Sequence, residues 1–294
     1  MTHVLVTGAT SGIGLATARA LVRSGWHVVL HARDAEKGRL AARRVAEGVR
    51  DAAVTPVSAD LADLASVERL ASSLENVPLR VIVHNATAAN FSGERSAQGH
   101  ELTFAVGQLA PWLLTMRLWP TLARQETAGV IWVSSQSHTA ARLAPNDIVA
   151  AGAESADDAY ARTKLANLAT HFALAESWAG TTLQSVAFDP GPTETPLMAN
   201  LRAHNHGVKG WLLRKVVPLF SRSAEVVAED LAWTVEQSLS SASQGAYFGT
   251  GRRHVRAARR ARDPQRRAAV VAVCERITGV AYVGDREHVK ESRP

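Results

Sequence analysis

Tyr160 and Lys164 stand four residues apart in an alanine- and leucine-rich stretch, Tyr160-Ala161-Arg162-Thr163-Lys164. On a helix, positions i and i+4 share a face, so the phenol and the ammonium point the same way. A free phenol has a pKa of about 10, too weak an acid for fast proton exchange near neutrality. A neighbouring ammonium favours the phenolate and is expected to lower that value. Upstream, Ser134-Ser135 ends an apolar, strand-like run. A serine hydroxyl there can hold a carbonyl oxygen as negative charge develops on it. The chemistry these residues suit is proton transfer at an oxygen bonded to a reacting carbon.

A second cluster lies near the start of the chain. Thr7-Gly8-Ala9-Thr10-Ser11-Gly12-Ile13-Gly14 follows an apolar run and opens a helical pattern. Gly8 permits a tight turn, Gly12 lets the backbone approach a pyrophosphate, and Gly14 lets helix and strand pack closely. The helix N-terminus then presents free N–H groups and a partial positive charge to phosphates. With Ser11 and Ile13, these residues form a dinucleotide-binding loop. The next apolar run ends His31-Ala32-Arg33. An acid at that strand end binds the ribose hydroxyls of NAD, whereas an arginine suits a 2′-phosphate. Ala32 fills the acid position and Arg33 follows it, so NADP(H) is the expected cofactor. Asp34 reads as the start of the next helix.

The elements that must position these groups follow from hydrophobic periodicity. Residues 4–7, 28–32, 54–59, 79–84, 130–134 and 183–188 read as strands. Helical patterns at 16–23, 35–48, 64–74, 98–124 and 159–178 separate them. Strands apolar on both faces and alternating with helices imply a parallel sheet covered on both sides. The expected fold is one α/β domain with a doubly wound parallel sheet, whose ligand crevice lies beyond the carboxyl ends of the strands. Residues 190–222 carry four prolines around an apolar patch and read as a substrate lid. In it Leu197, Met198, Trp211 and Leu213 suggest a hydrophobic small-molecule substrate. A helix at 224–239, a short strand at 245–248 and a last helix at 264–278 complete the expectation.

Composition narrows the function classes. The chain has 294 residues and a net charge of +6. Residues 251–294 alone carry +7, from 12 Lys/Arg and 5 Asp/Glu. The basic character therefore belongs to a C-terminal segment, read as a solvated helix face, and no nucleic-acid partner is expected without interleaved aromatics or a helix-turn-helix. The lone Cys274 excludes an intramolecular disulfide and a cysteine-based zinc site, and reads as a small apolar residue on the last helix. No run reaches the ~18 apolar residues of a membrane span, and no signal-like segment leads the chain, so a cytoplasmic location is expected.

The three motifs together resemble the short-chain dehydrogenase/reductase superfamily, and within it the retinol-dehydrogenase-like group. Tyr160–Asn167 reads YARTKLAN, close to that group's catalytic helix. The resemblance makes Ser135, Tyr160 and Lys164 the catalytic trio. It implies that Asp60-Leu61 contacts adenine, that Asn85 lines the cofactor, and that Pro190-Gly191 leads to Thr195, which steadies the nicotinamide amide. It also implies a homodimer or homotetramer. The expected activity is NADP(H)-dependent interconversion of a carbonyl and an alcohol, with Lys164 holding the cofactor ribose. Two rivals stand beside it: a non-redox cyclisation, elimination or epimerisation, and a dinucleotide-sensing binding protein.

The chain departs from the family pattern in two places. His84-Asn85-Ala86-Thr87 replaces Asn-Asn-Ala-Gly, and His84 reads as a packing residue at a strand end. Gly107 stands where the family carries a helix asparagine that supports a water-linked proton path from the lysine. Gln108 next to it points about 100° away, as consecutive residues on a helix do. The expectation is a water in the space left by the missing amide, bonded to a backbone carbonyl and to Lys164. Gly107→Asn should then preserve or raise the rate. Trp112 and Trp119 share a face and read as core. His138 reads as packing, with reach to the substrate as the alternative.

Overall fold

The computed structural model describes residues 2–141, 155–205 and 207–283. The end of the basic segment, residues 284–294, lies outside them. In chain order the strands are β1 (His3–Val6), β2 (His27–Ala32), β3 (Val54–Ser58), β4 (Leu79–His84), β5 (Ala128–Val133), β6 (Leu183–Asp189), β7 (Tyr247–Gly249) and β8 (Arg253–His254). The helices are α1 (Gly12–Arg23), α2 (Ala35–Ala46), α3 (Leu64–Leu74), α4 (Leu102–Phe104), α5 (Ala110–Ala123), α6 (Ala156–Ser177), α7 (Pro196–His204), α8 (Gly207–Lys215), α9 (Ala224–Gln237), α10 (Arg259–Arg262) and α11 (Pro264–Thr278).

The strands form one sheet in the order β3-β2-β1-β4-β5-β6-β7-β8. All neighbours are parallel except β7 and β8. The order reverses between β1 and β4, and the carboxyl ends of the two strands splay into a crevice there. Side chains alternate across the sheet, as the two-residue repeat demands. Leu5, Ile82, Val130 and Trp132 pack beneath α3, α5 and α6. Their neighbours Val4, Val6, Val81, Val83, Ile131 and Val133 pack against α1 and α9 on the other face. The outermost strand, β3, is half exposed and carries Pro56, which an edge strand tolerates because its free side needs no N–H donor.

Helix α6 is the axis of the site, and its composition explains its place. It is buried on nearly all sides, with Ala159, Ala161, Ala166 and Ala169 facing close neighbours. Ser155 caps it by accepting from the Asp158 N–H, and Asp157 and Asp158 complement its positive end. Within its first turns Arg162 pairs with Asp158 at 2.7 Å. The helix thus begins three residues before the expected start.

The expected central helix at 98–124 is not continuous. It starts at Leu102, runs through a π-helical turn at Ala105–Leu109, and becomes regular α only as α5. Trp112 and Trp119 are core, as expected. Cys274 is buried on α11, and burial pushes its thiol up to about 12, which leaves it inert near neutrality. The final strand pair adds β8, which the sequence reading did not anticipate. Among the described residues no helix is long and apolar enough to cross a membrane, and no cluster of three metal-ligating side chains occurs.

Candidate active site

The sheet's carboxyl edge carries a cleft of about 610 Å3. Gly8, Ser11, Gly12, Ile13, Gly14, Arg33, Asp60, Leu61, Asn85, Ser135, Tyr160, Lys164, Pro190, Gly191 and Thr195 all line it. The structure therefore brings the residues expected at the site to one surface.

The glycine loop is held from beneath by side chains. Gly8 adopts φ +65, a region that favours glycine. A Cβ on Gly14 would lie 2.4 Å from the Gly8 carbonyl and 2.5 Å from Asn85 Nδ2, so no larger residue fits. Asn85 Nδ2 donates to the carbonyls of Thr7 at 2.9 Å and Gly8 at 3.2 Å. Thr7 Oγ1 in turn accepts from the Asn85 N–H at 3.0 Å. Asn85 thus ties the ends of β1 and β4. His31, which sequence reasoning passed over, takes the Gly8 N–H on Nδ1 at 3.1 Å. With Nδ1 an acceptor, Nε2 carries the proton and donates to the Ala59 carbonyl at 3.1 Å. That pairing describes a neutral ring, and burial holds the His31 pKa below its usual value. Ser11 precedes α1 with no side-chain cap, so its hydroxyl and the helix's first N–H groups face the cleft.

At the far end of the loop, Arg33 is exposed beside the cleft. Asp34 caps α2 by accepting from the Lys37 N–H at 2.8 Å, as expected of a helix start. The same turn brings the Lys37 side chain to the cleft wall. Lys37 is a second cation there that strand-end reasoning missed, because it sits one helical turn beyond the strand. Asp60 spends one carboxylate oxygen on the Ala62 N–H at 2.9 Å, which fixes the β3–α3 turn.

The trio meets at the ends of β5 and α6. Ser135 caps a 3-10 turn at Gln136–Ala140, accepting from the Ser137 N–H at 3.2 Å. Tyr160 lines the cleft beside it, and Ser135 favours the ionised form of the Tyr160 phenol. Lys164 Nζ lies 5.5 Å from the Tyr160 ring centroid and donates to the Val133 carbonyl at 2.7 Å. Burial pushes the Tyr160 phenol up to about 12, an effect larger than the opposing influence of Ser135, and the Asp189 charge pushes the same way. The expected lowering of the phenol by Lys164 is therefore corrected. Desolvation dominates here, and the ammonium is committed to a backbone carbonyl. Burial also draws Lys164 down to about 8, against the pull of Asp189.

Asp189 is a site neighbour that the sequence reading missed. Buried at the end of β6, it accepts from Gln136, from the Gly191 N–H at 2.9 Å and from the Tyr247 hydroxyl at 3.3 Å. It joins the Ser135 turn, the Pro-Gly loop and β7. His138 is fully buried, donates from Nδ1 to the Ser135 carbonyl at 2.6 Å and accepts the Ala258 N–H on Nε2 at 3.1 Å. It packs and does not reach the cleft. His84 also packs, with Nε2 2.7 Å from Thr115 Oγ1 and its ring against Trp132. Thr87, the other departure in that motif, does line the cleft, and its hydroxyl has no partner among the described residues.

Gly107 falls in the π-helical turn, and its surroundings overturn the expectation of a compensating water. A Cβ there would lie 2.6 Å from Thr163 Cγ2. The Gly107 carbonyl already accepts from Asn167 Nδ2 at 2.7 Å, and that amide also donates to Gln108 Oε1 at 2.8 Å. Glycine is present because α6 packs against this turn, with no room for an amide. Gly107→Asn should cost about 1–3 kcal/mol by overpacking and should not raise turnover. Adding Thr163→Ser, which removes Cγ2 but keeps the hydroxyl, should recover most of the loss. Thermal unfolding of the single and double variants measures this, and an undiminished melting temperature for Gly107→Asn would contradict the packing account.

Within residues 190–222, the segment expected to form a lid, lie α7, α8 and a 3-10 turn at Val217–Leu219. Thr195 caps α7 by accepting from the Met198 N–H at 3.3 Å, which leaves its O–H to donate. Leu197, Met198 and Leu201 line the cleft. Trp211 and Leu213, expected there, do not. Trp211 is 56% exposed, and the Leu213 carbonyl accepts from Arg202 at 3.0 Å. Arg202 in turn pairs with Glu194 at 2.6 Å, so α8 is tied to the back of α7 and turned away from the cleft.

Residues 2–206 match the family model described as short chain dehydrogenase. The chain is 35% identical over 219 residues to dehydrogenase/reductase SDR family member 13 of Bos taurus, a match covering 73% of this chain and 56% of that protein. It is 33% identical over 256 residues to a Streptomyces sp. (strain C5) protein provisionally named a daunorubicin C-13 ketoreductase, covering 85% of this chain and 83% of that one. The matches span between 33% and 63% of the length of several other relatives. Among solved structures, an uncharacterized protein from Mycobacterium paratuberculosis superposes with a TM-score of 0.75 at 28% identity, covering 96% of this chain and 95% of that one.

Proposed function

The chain belongs to the short chain dehydrogenase family of oxidoreductases, and on that premise we propose that it interconverts a carbonyl and an alcohol on an apolar small molecule using NADP(H). The observation that carries this reading is the cleft at the sheet's carboxyl edge. It runs from the glycine loop and Arg33, along Asn85, to Ser135, Tyr160 and Lys164.

The residues present fit a nicotinamide dinucleotide. The glycine loop offers unshielded backbone at a helix N-terminus, and Arg33 and Lys37 supply two cations where a 2′-phosphate would lie. When bound, that cofactor exchanges a hydride with the substrate carbon. The protein's own part is orientation and proton transfer. Ser135 holds the substrate oxygen, and Tyr160 gives it a proton on reduction or takes one on oxidation. Lys164 keeps a positive charge behind the phenol while its pKa, about 8, exceeds the ambient pH. Thr195 has an O–H to donate above α7, suited to an amide carbonyl. The apolar wall of Leu102, Val106, Leu197, Met198 and Leu201 favours a ring-bearing or aliphatic substrate. The similarity to a protein named for ketone reduction supports the same direction.

The non-redox rival rested on Gly107, and the contact with Thr163 gives that residue a packing reason instead. The test is NADPH oxidation with a panel of apolar ketones and aldehydes, run on the wild type and on Arg33→Ala and Lys37→Ala. Each substitution should raise KM for NADPH by a factor of about 10–100, the loss of one charge-assisted hydrogen bond, and leave NADH nearly unchanged. Equal losses for both cofactors would remove Arg33 and Lys37 from 2′-phosphate recognition. No turnover of any carbonyl with either cofactor would overturn the oxidoreductase reading.

A further inference from the structure

The large apolar side chains that the fold leaves uncovered are gathered in one stretch. Among the described residues six are exposed, and all but Leu40 fall between positions 211 and 226. Trp211 and Leu212 lie on α8. Leu219 and Phe220, 76% and 71% exposed, end the 3-10 turn that packs against it. A single exposed leucine is ordinary on a protein surface, whereas two aromatic rings and two leucines together mark a contact site. The stretch is pinned at both ends. Arg202 holds the Leu213 carbonyl at 3.0 Å. The Arg222 N–H donates to the Pro192 carbonyl, and the Arg222 carbonyl accepts from the Glu194 N–H, each at 3.0 Å. None of these four apolar residues lines the cleft.

Charge decides what this face suits. From Thr195 to Ala224 the chain holds five Lys and Arg and no Asp or Glu. Arg202 is matched by Glu194, and Arg214 donates to the carbonyls of Arg202 and Asn205 at 3.1 and 2.9 Å, so neither is counted. Lys215 and Arg222 are exposed, and among the described residues neither forms an ion pair or a side-chain hydrogen bond. Lys215 follows Trp211 by four positions and Leu212 by three, so all three share one face of α8. The next acid, Glu225, opens α9 and complements that helix's positive end. Rings and aliphatic side chains beside free cations are the pattern of a helix lying in a lipid headgroup layer, its rings at the acyl boundary and its cations on the lipid phosphates. A second copy of the chain would bring this face against itself and set its cations against like charge. We propose that Trp211, Leu212, Leu219 and Phe220, with Lys215 and Arg222, form a docking surface for an anionic lipid bilayer, on which the protein rests without crossing it.

The test is co-sedimentation of the full chain with vesicles of phosphatidylcholine alone, or of phosphatidylcholine and phosphatidylglycerol in equal parts. The chain should bind the anionic vesicles more tightly, and rising salt should weaken that binding. Trp211→Ser/Phe220→Ser should weaken it at least about tenfold, the loss of two buried rings. Lys215→Gln/Arg222→Gln should weaken binding to the anionic vesicles roughly fivefold for each charge removed, and narrow the gap between the two compositions. Leu40→Ser, at an exposed leucine on α2, should bind like the wild type. All these changes are at exposed side chains, and an unaltered melting temperature checks that each variant is folded. The proposal is overturned if neither vesicle sediments the chain, if folded Trp211→Ser/Phe220→Ser binds as the wild type does, or if Leu40→Ser weakens binding equally. It is also overturned if the chain is a dimer that Trp211→Ser/Phe220→Ser dissociates, which makes the face a contact between copies. A polyglutamate peptide that displaces the chain from vesicles at matched charge would overturn it too, by making the face a site for an acidic protein.

Discussion

Tyr160→Phe is expected to lower carbonyl turnover by about 10²- to 10⁴-fold, the usual contribution of a positioned acid or base. That corresponds to roughly 3–5 kcal/mol of transition-state stabilisation. KM for the dinucleotide should barely change, because the phenol acts on the substrate oxygen in the transition state and not on the cofactor in the ground state. The ring would still fill its place above Lys164, so the fold should hold. The pH profile adds a second check. Burial keeps the phenol protonated up to about 12, so the acid needed for reduction is present throughout the neutral range. Lys164 loses its proton near 8, and with it the charge behind the phenol. Reduction should therefore be level below pH 8 and decline above it, in the wild type only. A Phe variant at full rate, or one with the same alkaline decline, would show that another group supplies the proton.

Much of this site was legible because its residues act through the backbone or through spacing. A glycine loop between strand and helix, a tyrosine and a lysine on one helical face, and a serine at a strand end are all positions that local periodicity places. The parallel sheet was legible for the same reason, since strands buried on both faces read as unbroken apolar runs. What escaped depends on contacts between distant segments. Lys37 reaches the cleft from the first turn of α2, beyond the strand end where the cofactor-binding residue was sought. His31 pins Gly8 across 23 positions of sequence. The π-helical turn at Ala105–Leu109 follows from the close approach of Thr163 and Asn167 on α6, a fact absent from the hydrophobic pattern of either helix. Trp211 read as a lid residue by composition, but the Arg202 clamp sets which way α8 faces. The phenol's pKa was misjudged because spacing shows that a lysine is near and does not show how deeply both groups are buried.

Acid should destabilise the protein well before its carboxylates titrate. His84 and His171 are buried, each ring with one hydroxyl partner, Thr115 for the first and Ser185 for the second. Burial draws both down to about 3. In the unfolded chain each returns to about 6.5. A group whose folded pKa lies below its unfolded value binds more protons unfolded, so its stabilisation is complete above pH 6.5 and is lost as pH falls towards 3. Between pH 7.5 and 5 the two together should cost on the order of 4 kcal/mol, at up to ~1.4 kcal/mol per pH unit each. For a chain of this size that is a fall in Tm on the order of 10 °C. His31 and His138 are lowered in the same direction, and they hold Gly8 and the Ser135 carbonyl, so the cleft should loosen in the same window. Asp63 and Glu194 sit below their usual values and act with the same sign, but only at pH values beneath the ordinary carboxylate range. Measurement above pH 5 therefore isolates the histidines. His84→Gln/His171→Gln should flatten the dependence of unfolding free energy on pH between 6.5 and 5 by about half or more, since two of the four contributing rings are gone. An unchanged slope in that double variant would mean that neither histidine is held neutral by the fold.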